Sequence, residues 1–372
     1  MTTYRFLEPL DVLFLRGNKL FGDPGSFGES LVPPWPSVAA GAIRSQMLAT
    51  EGVDLAGFAA GEVEHPHLGT PARPGSFAIA GFLLARRTGT SIVTFHPLPA
   101  DFIAATDSAG LRLHQLRPAS LAAGIESSAP LQQVPMLAAD ARAKAETSLW
   151  LTQAGWQQYL DGKVPAADAL VESRELWKLD PRVGVGLDTE KRRAEDGKLF
   201  SVQAVALAEG LGFLAAIAGA EPPSSGVLRL GGDGRAAAVH IVTYSPPEPD
   251  YAALAKAGRC RIVLASPGIF ADGWRLPGLA SDNRFALGGV TGRLVCAAVP
   301  RAEVISGWDL AKRQPKPAQR VASAGSVYWL EELQATPEQL RKLADAGLWP
   351  NAGYDASRRA EGFNRITFAT SN

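Results

Sequence analysis

Two punctuated segments near the start constrain this chain most: Pro9-Leu10-Asp11-Val12-Leu13-Phe14-Leu15-Arg16 and Pro33-Pro34-Trp35-Pro36-Ser37-Val38-Ala39-Ala40-Gly41-Ala42-Ile43-Arg44. Val12 to Leu15 is a short apolar run bounded by Pro9 and Gly17, the pattern of a core strand. A loop carrying Arg16 and Lys19 follows. Pro36 disfavours helix before it and Ser37 is a good N-cap, so the spacing predicts a helix that starts at Ser37. Arg44 lies about two turns further on, on the same side of that helix. Backbone N–H groups, a hydroxyl and a guanidinium on one side make a seat for a phosphate. The competing reading is a capped core helix with a solvated arginine.

Three further blocks follow in order. Arg182-Val183-Gly184-Val185-Gly186-Leu187-Asp188 is followed by Gly197-Lys198-Leu199-Phe200. Leu230-Gly231-Gly232-Asp233-Gly234-Arg235 is a glycine-rich turn. Lys316-Pro317 precedes Arg320-Val321-Ala322-Ser323-Ala324-Gly325-Ser326-Val327-Tyr328. Taken with the opening stretch, the set resembles the third-subunit family of the CRISPR type III-B effector, the Cmr complex, within the RAMP superfamily. The resemblance covers nearly the whole chain, and its specificity comes from the order of four blocks, each weak alone.

The resemblance implies an α+β fold of two ferredoxin-like (RRM-like) domains with insertions and glycine-rich loops. It implies a non-catalytic RNA-binding subunit that holds the 5′ repeat-derived handle of the CRISPR RNA in antiviral defence. Such a subunit would join the large polymerase-like subunit to the backbone RAMP subunits of the effector, and would meet target RNA only indirectly. One departure is visible. The family usually has a helix before its glycine loop, and Glu221-Pro222-Pro223-Ser224-Ser225-Gly226 leaves little room for one.

Length and charge are compatible with this. A chain of 372 residues suggests two or three domains, and 46% hydrophobic residues can bury substantial cores. Lys+Arg and Asp+Glu are equal at 37 each, which argues against free, non-specific polyanion binding. It leaves room for a local basic groove, and neutrality favours association. Cys260 and Cys296 each sit in an apolar run, so neither a disulfide scaffold nor a zinc site is indicated. No cofactor is expected. Met1 to Arg5 does not open a signal peptide, because Glu8 and Asp11 interrupt any apolar core. No membrane span is expected, and the compartment indicated is the cytoplasm.

Strands are expected near Tyr4–Leu15, Phe77–Arg86, Ser91–His96, Leu199–Ala206, Phe213–Ala218 and Ala236–Tyr244, with a helix over Val38–Ala49. The alanine-rich segment Asp101–Gly124 reads as irregular and partly helical, and Trp150–Tyr159 and Ala167–Leu176 as short helices. Ser245-Pro246-Pro247-Glu248-Pro249 is the best boundary, because its prolines prevent regular pairing. It separates a first domain, 1–245, from a second, 246–372. The first carries an insertion around 101–180 and a thumb-like hairpin around 182–200. In the second, Arg261–Ala265, Gly292–Val299, Gly325–Leu330 and Arg365–Thr370 read as strands. Thr336, Pro337 and Gly347 frame a helix as cap, first-turn proline and stop.

The candidate RNA contacts are Arg16, Lys19, Ser37, Arg44, Arg182, Arg192, Arg193, Gly232, Arg235, Lys312, Arg313, Lys316 and Arg320. Glycines at Gly231, Gly232 and Gly234 let backbone N–H groups approach a phosphate, although no Walker loop is present. Around Arg182–Phe200, Asp188, Glu190, Glu195 and Asp196 nearly cancel the cations, so a solvated hairpin competes with an RNA-facing thumb. The run Lys312–Arg320 holds four cations and no acid, with Trp308 and Tyr328 as flanking aromatics for base stacking. Gly353 to Phe363 is a glycine-bracketed loop before the last strand and occupies the place of the family's carboxy-terminal glycine-rich loop, with few glycines and with Asp355 and Glu361 intruding. No metal site is expected. His65 and His67 form a pair without a third ligand, and His96 and His114 stand apart. A RAMP-type endoribonuclease that processes precursor RNA remains a second reading, with His240 as its general base. An unrelated α+β enzyme with a small-molecule pocket is the third.

Overall fold

The computed structural model describes the chain except residues 1, 18–26, 108–109, 126, 128–129, 138–144, 147, 189, 310 and 372. Lys19 therefore lies outside the described residues. The fold is mixed, with many antiparallel sheets and few helices. Backbone contacts divide it into two compact units. The first comprises Met1–Ile92, Arg174–Thr243 and Val304–Gln319, and the second Val93–Ser173, Tyr244–Glu303 and Arg320–Asn372. The proline stretch 245–249 begins two residues after the crossing between Thr243 and Tyr244. Most of the 101–180 segment, up to Ser173, belongs to the second unit.

The first unit contains β1 (Thr2–Pro9), α1 (Pro36–Thr50), β2 (Ala78–Thr88), β3 (Trp177–Asp188), β4 (Arg193–Leu207), β5 (Leu211–Ala218) and β6 (Ala236–Ile241). Its main sheet runs β2-β5-β1-β6, with the short strand Val227–Arg229 at the edge. The pairs β1–β5, β1–β6 and β5–β2 are all antiparallel. β1 stops at Pro9, six residues short of the expected Leu15. Beyond it Leu10 to Gly17 is irregular, because its backbone bonds are shared singly among Ala236 of β6, Val205 of β4 and the loops at Ser30–Leu31 and Gly232. The α1 helix buries Ala39, Ala40, Ile43 and Met47. It runs from Pro36 with Trp35 as N-cap, so Ser37 is its second residue and not the cap. Proline at the first helical position lacks the N–H that a cap would satisfy, and this moves the start upstream.

Between β5 and β6 there is no helix among the described residues, as the prolines at 222 and 223 implied. Arg5 holds that crossover instead. Its buried guanidinium donates to the Glu221 carboxylate at 2.5 Å, the Pro222 carbonyl at 2.7 Å and the Pro223 carbonyl at 2.9 Å. The clamp fixes the chain just ahead of the glycine turn at 230–235.

The second unit contains α2 (Tyr251–Ala257), β7 (Cys260–Leu264), β8 (Val290–Ala298), β9 (Val327–Gln334), α3 (Pro337–Ala346) and β10 (Ile366–Ala369). Its sheet runs β8-β9-β7-β10, with Arg284–Leu287 beyond β8, and all pairs are antiparallel. Ile262, Leu264, Tyr328, Leu330, Leu340, Leu343 and Phe368 share one core cluster. The frame of α3 is as the sequence indicates: Thr336 and Gln339 form a reciprocal capping box, with Pro337 in the first turn and Gly347 at the end.

Three segments depart from the sequence expectation. Asp101–Gly124 is not helical: Phe102–Asp107 pairs with Gly110–Gln115, and Arg117–Ala119 pairs with Val134–Met136. The helix expected from Trp150 starts at Gln153, because Leu149–Thr152 is a strand between the neighbours Ser91–Pro97 and Leu170–Glu172. The segment 167–176 is a single 3₁₀ turn, a strand and one helical turn. Alanine favours helix only weakly, and cross-strand burial of Phe102 and Leu149 outweighs it.

Candidate nucleic-acid interface

The loop after β1 is the centre of the candidate site. Leu13 exchanges both backbone hydrogen bonds with Val205 of β4, at 2.9 and 2.8 Å. Leu15 accepts from the Leu31 N–H at 2.7 Å, and Arg16 bridges Ser30. Ser30 in turn donates through Oγ to the Gln203 carbonyl at 2.6 Å. The Phe14 carbonyl accepts the Gly232 N–H at 2.8 Å. The structure thus brings Arg16, Gly232 and Arg235 together at the base of the β3–β4 hairpin.

Gly231 shows why glycine is needed there. It sits at φ 77°, and a Cβ on it would lie 2.7 Å from the Phe14 carbonyl oxygen. The N–H of Gly232 is spent on joining the two loops, so it is not a phosphate donor in this structure. Arg235 is also engaged. Its guanidinium lies 5.1 Å from the centre of the Phe14 ring and pairs with the Asp11 carboxylate at 2.5 Å. Asp11 and Phe14 are site residues that sequence reasoning did not single out. They are far from Arg235 along the chain, and no local pattern announces the contact.

Arg44 packs its guanidinium over the Phe77 ring, 5.2 Å from its centre, and is half-buried. Ser37 is half-buried in the first turn of α1. Both remain on one side of the helix.

The thumb-like hairpin is longer than the sequence indicated, running through β3 and β4 from Trp177 to Leu207. Strict alternation exposes Val183, Val185 and Leu187 on one face of β3. Phe200 lies across Gly184, where an added Cβ would meet its ring at 2.3 Å. Arg182 pairs with Asp180 at 2.9 Å, Lys198 with Glu195 at 2.7 Å and Lys191 with Asp188 at 3.7 Å. Such exposed pairs are weak and open readily. Arg192 and Arg193, at the hairpin tip, are exposed and make no ion pair among the described residues.

The run at 312–320 is split between the two units. Lys312, Arg313 and Lys316 belong to a small hairpin of the first unit, Trp308–Asp309 paired with Gln314–Pro315. Arg320 belongs to the second unit, where it lines an apolar cavity of about 410 Å³ with Trp274, Val299, Pro300 and Pro135. Tyr328 is fully buried in β9, so it is no stacking surface. Its hydroxyl donates to the Trp274 carbonyl at 2.9 Å, and burial pushes its pKa up.

His65, His96 and His240 are engaged in structure. His65 is buried, its Nδ1 accepts the N–H groups of His67 and Leu68 at 3.1 Å each, and its Nε2 is 3.0 Å from Glu51. His240 lies within the sheet on β6, its Nε2 2.8 Å from the Glu8 carboxylate. Arg87 donates to the same carboxylate at 2.7 Å. Burial lowers the Glu8 charge preference, but hydrogen bonds and charge from Arg87 and His240 prevail and depress its pKa. His96 is buried against Trp156, rings stacked at 4.5 Å, and burial lowers its pKa to about 3. Burial pushes the thiols of Cys260 and Cys296 up to about 12, which makes both unreactive.

Comparison with known proteins gives one family. The family model described as "CRISPR-associated protein (Cas_Cmr3)" matches residues 5–367. No curated protein matches the sequence. Among solved structures, the chain is similar to one from the type III-B Cmr-beta complex bound to cognate target RNA and AMPPnP. That match has 13% identity and a TM-score of 0.50, covering 97% of this chain and 93% of the other. A second, from type III-B Cmr-beta bound to cognate target RNA, has 12% identity and a TM-score of 0.48, covering 98% and 96%. At such identities the likeness concerns fold.

Proposed function

The chain belongs to the Cas_Cmr3 family of CRISPR-associated proteins, and on that premise we propose that it is a non-catalytic RNA-binding subunit of a type III-B effector. It holds the 5′ repeat-derived handle of the CRISPR RNA and joins the large polymerase-like subunit to the backbone RAMP subunits. One observation carries this reading. The Gly232 N–H to Phe14 carbonyl bond seats Arg16 and Arg235, from distant parts of the chain, beside the base of a long hairpin tipped by Arg192 and Arg193. Clustered arginines on loops held by backbone bonds suit phosphate contacts, which position an RNA without reading its sequence.

The two units are ferredoxin-like in this reading. Support comes from strand order: β6-β1-β5-β2 and β10-β7-β9-β8 are each fourth, first, third, second in chain order, all antiparallel. Each unit keeps one of the two crossover helices, α1 in the first and α3 in the second. A non-catalytic role is supported by His240. The imidazole that a ribonuclease would use faces Glu8 within the sheet and is not on the arginine loops. Neutral overall charge suits a subunit whose RNA contact is local. Among the described residues no helix is long and apolar enough to cross a membrane; the cytoplasm is the compartment of this reading.

The test is titration of the full chain with a repeat-derived handle RNA over a range of salt. Arg16→Glu and Arg44→Glu each weaken binding while circular dichroism stays unchanged. Each phosphate contact removed lowers the salt slope by about one. Unchanged affinity in folded variants removes the assignment.

A further inference from the structure

Among the described residues, Trp308 is the one tryptophan, tyrosine or phenylalanine side chain that is exposed, at 57%. The other described tryptophan, tyrosine and phenylalanine side chains are buried or half-buried. An indole in water needs a reason, because burial of such a ring is strongly favoured. The surroundings of Trp308 are cationic. It pairs across the small hairpin with Pro315, so the two side chains share a face. The Lys316 N–H donates to the Gly307 carbonyl at 2.8 Å, and Ser306 Oγ donates to the Lys316 carbonyl at 2.7 Å. The Lys316 stem runs beside Gly307, next to the indole, with its Cδ 3.7 Å from where a Cβ would stand. Lys312 and Arg313 are exposed at the turn and make no side-chain ion pair among the described residues. The one acid of the hairpin, Asp309, closes the turn by accepting the Lys312 N–H at 3.1 Å.

We propose that this hairpin is a second RNA contact, on a different segment from the arginine loops, which stacks an unpaired base on Trp308 and holds the flanking phosphates with Lys312, Arg313 and Lys316. The inference rests on the RNA-binding reading and narrows it to single strands at this position. A base in a duplex has both faces covered, whereas an unpaired one can lie flat on an indole. Every base has such a face, so this contact adds affinity without sequence preference. A protein partner would call for an apolar surround, and the hairpin offers charge instead.

The experiment uses the full chain and a repeat-derived handle RNA carrying a short oligouridylate extension, with binding read by anisotropy and by quenching of tryptophan fluorescence. Trp308→Ala weakens binding about tenfold and Trp308→Phe recovers most of it, as expected for loss and restoration of one stacked base. Annealing a complement over the extension brings the wild type down to the affinity of Trp308→Ala. Wild-type affinity in Trp308→Ala, or loss of a protein partner with RNA binding intact, overturns the hairpin contact alone. Failure of the wild type to bind either the handle RNA or its extended form overturns the RNA-binding reading itself.

Discussion

Gly232 donates its backbone N–H to the carbonyl of Phe14 at 2.8 Å, and this single bond joins the glycine turn to the arginine loop. Both glycine conformation and charge placement follow from it. Gly231 must turn at φ 77° to bring the next N–H into reach, and Arg235 then falls over the Phe14 ring within reach of Asp11.

Asp11 holds the Arg235 guanidinium in an ion pair that RNA would have to open. Asp11→Asn frees that charge. In titrations across salt, this variant is expected to bind handle RNA more tightly at low salt and to show a slope steeper by about one. An unchanged slope shows that Arg235 stays on Asp11 or Phe14 in the complex.

The buried pair of Asp101 and Arg261 is a structural centre of the second unit. Arg261 also donates to the Thr370 and Tyr159 carbonyls, and the Tyr159 hydroxyl donates to Asp101 at 3.1 Å. Asp101→Ala leaves a buried guanidinium without its counter-ion, which costs about 3–5 kcal/mol. Urea denaturation measures it. A loss no larger than that of a surface substitution contradicts the burial described.

The Thr336 cap is a smaller and cleaner case. Thr336→Ala removes the acceptor for the Gln339 N–H and half of the capping box. The expected loss is about 1 kcal/mol, read as a shift of the denaturation midpoint at constant slope.

His96 makes stability depend on acid. Its folded pKa is lowered to about 3 from 6.5 by burial. Between those values the unfolded chain takes a proton that the folded chain refuses, so stability falls as pH drops through this window. The slope from this one group is at most about 1.4 kcal/mol per pH unit. His96→Phe keeps a ring against Trp156 and removes the titration. Its stability from pH 6 to pH 4 should fall less steeply than that of the wild type, and parallel curves would contradict the assignment.

Elements with a local cause could be read from the chain. The capping residues of α3, the hairpin around 182–200 and the prolines that leave little room for a helix at 222–223 all act within a few residues. Ser37 reads as a good cap residue, but the adjacent Pro36 takes the first helical position and sets the start one residue earlier. Phe102–Asp107 became a strand through its pairing partner Gly110–Gln115 and a third strand, Ala145–Glu146, nearly forty residues on, which alanine content does not signal. The site was legible in its cations and not in their partners. Arg16, Gly232 and Arg235 could be named, but the Asp11 pair and the Phe14 junction are tertiary contacts. Tyr328 reads as a flanking aromatic but is core, because it lies in the inner strand β9 opposite Ile262, a position set by tertiary pairing.

The most direct measurement is purification of the tagged full chain from its source cells, with sequencing of the RNA and identification of the proteins that come with it. The account predicts short RNAs sharing one repeat-derived 5′ end, together with a large polymerase-like subunit and smaller RAMP subunits. Recovery of the chain with neither RNA nor those partners would contradict it.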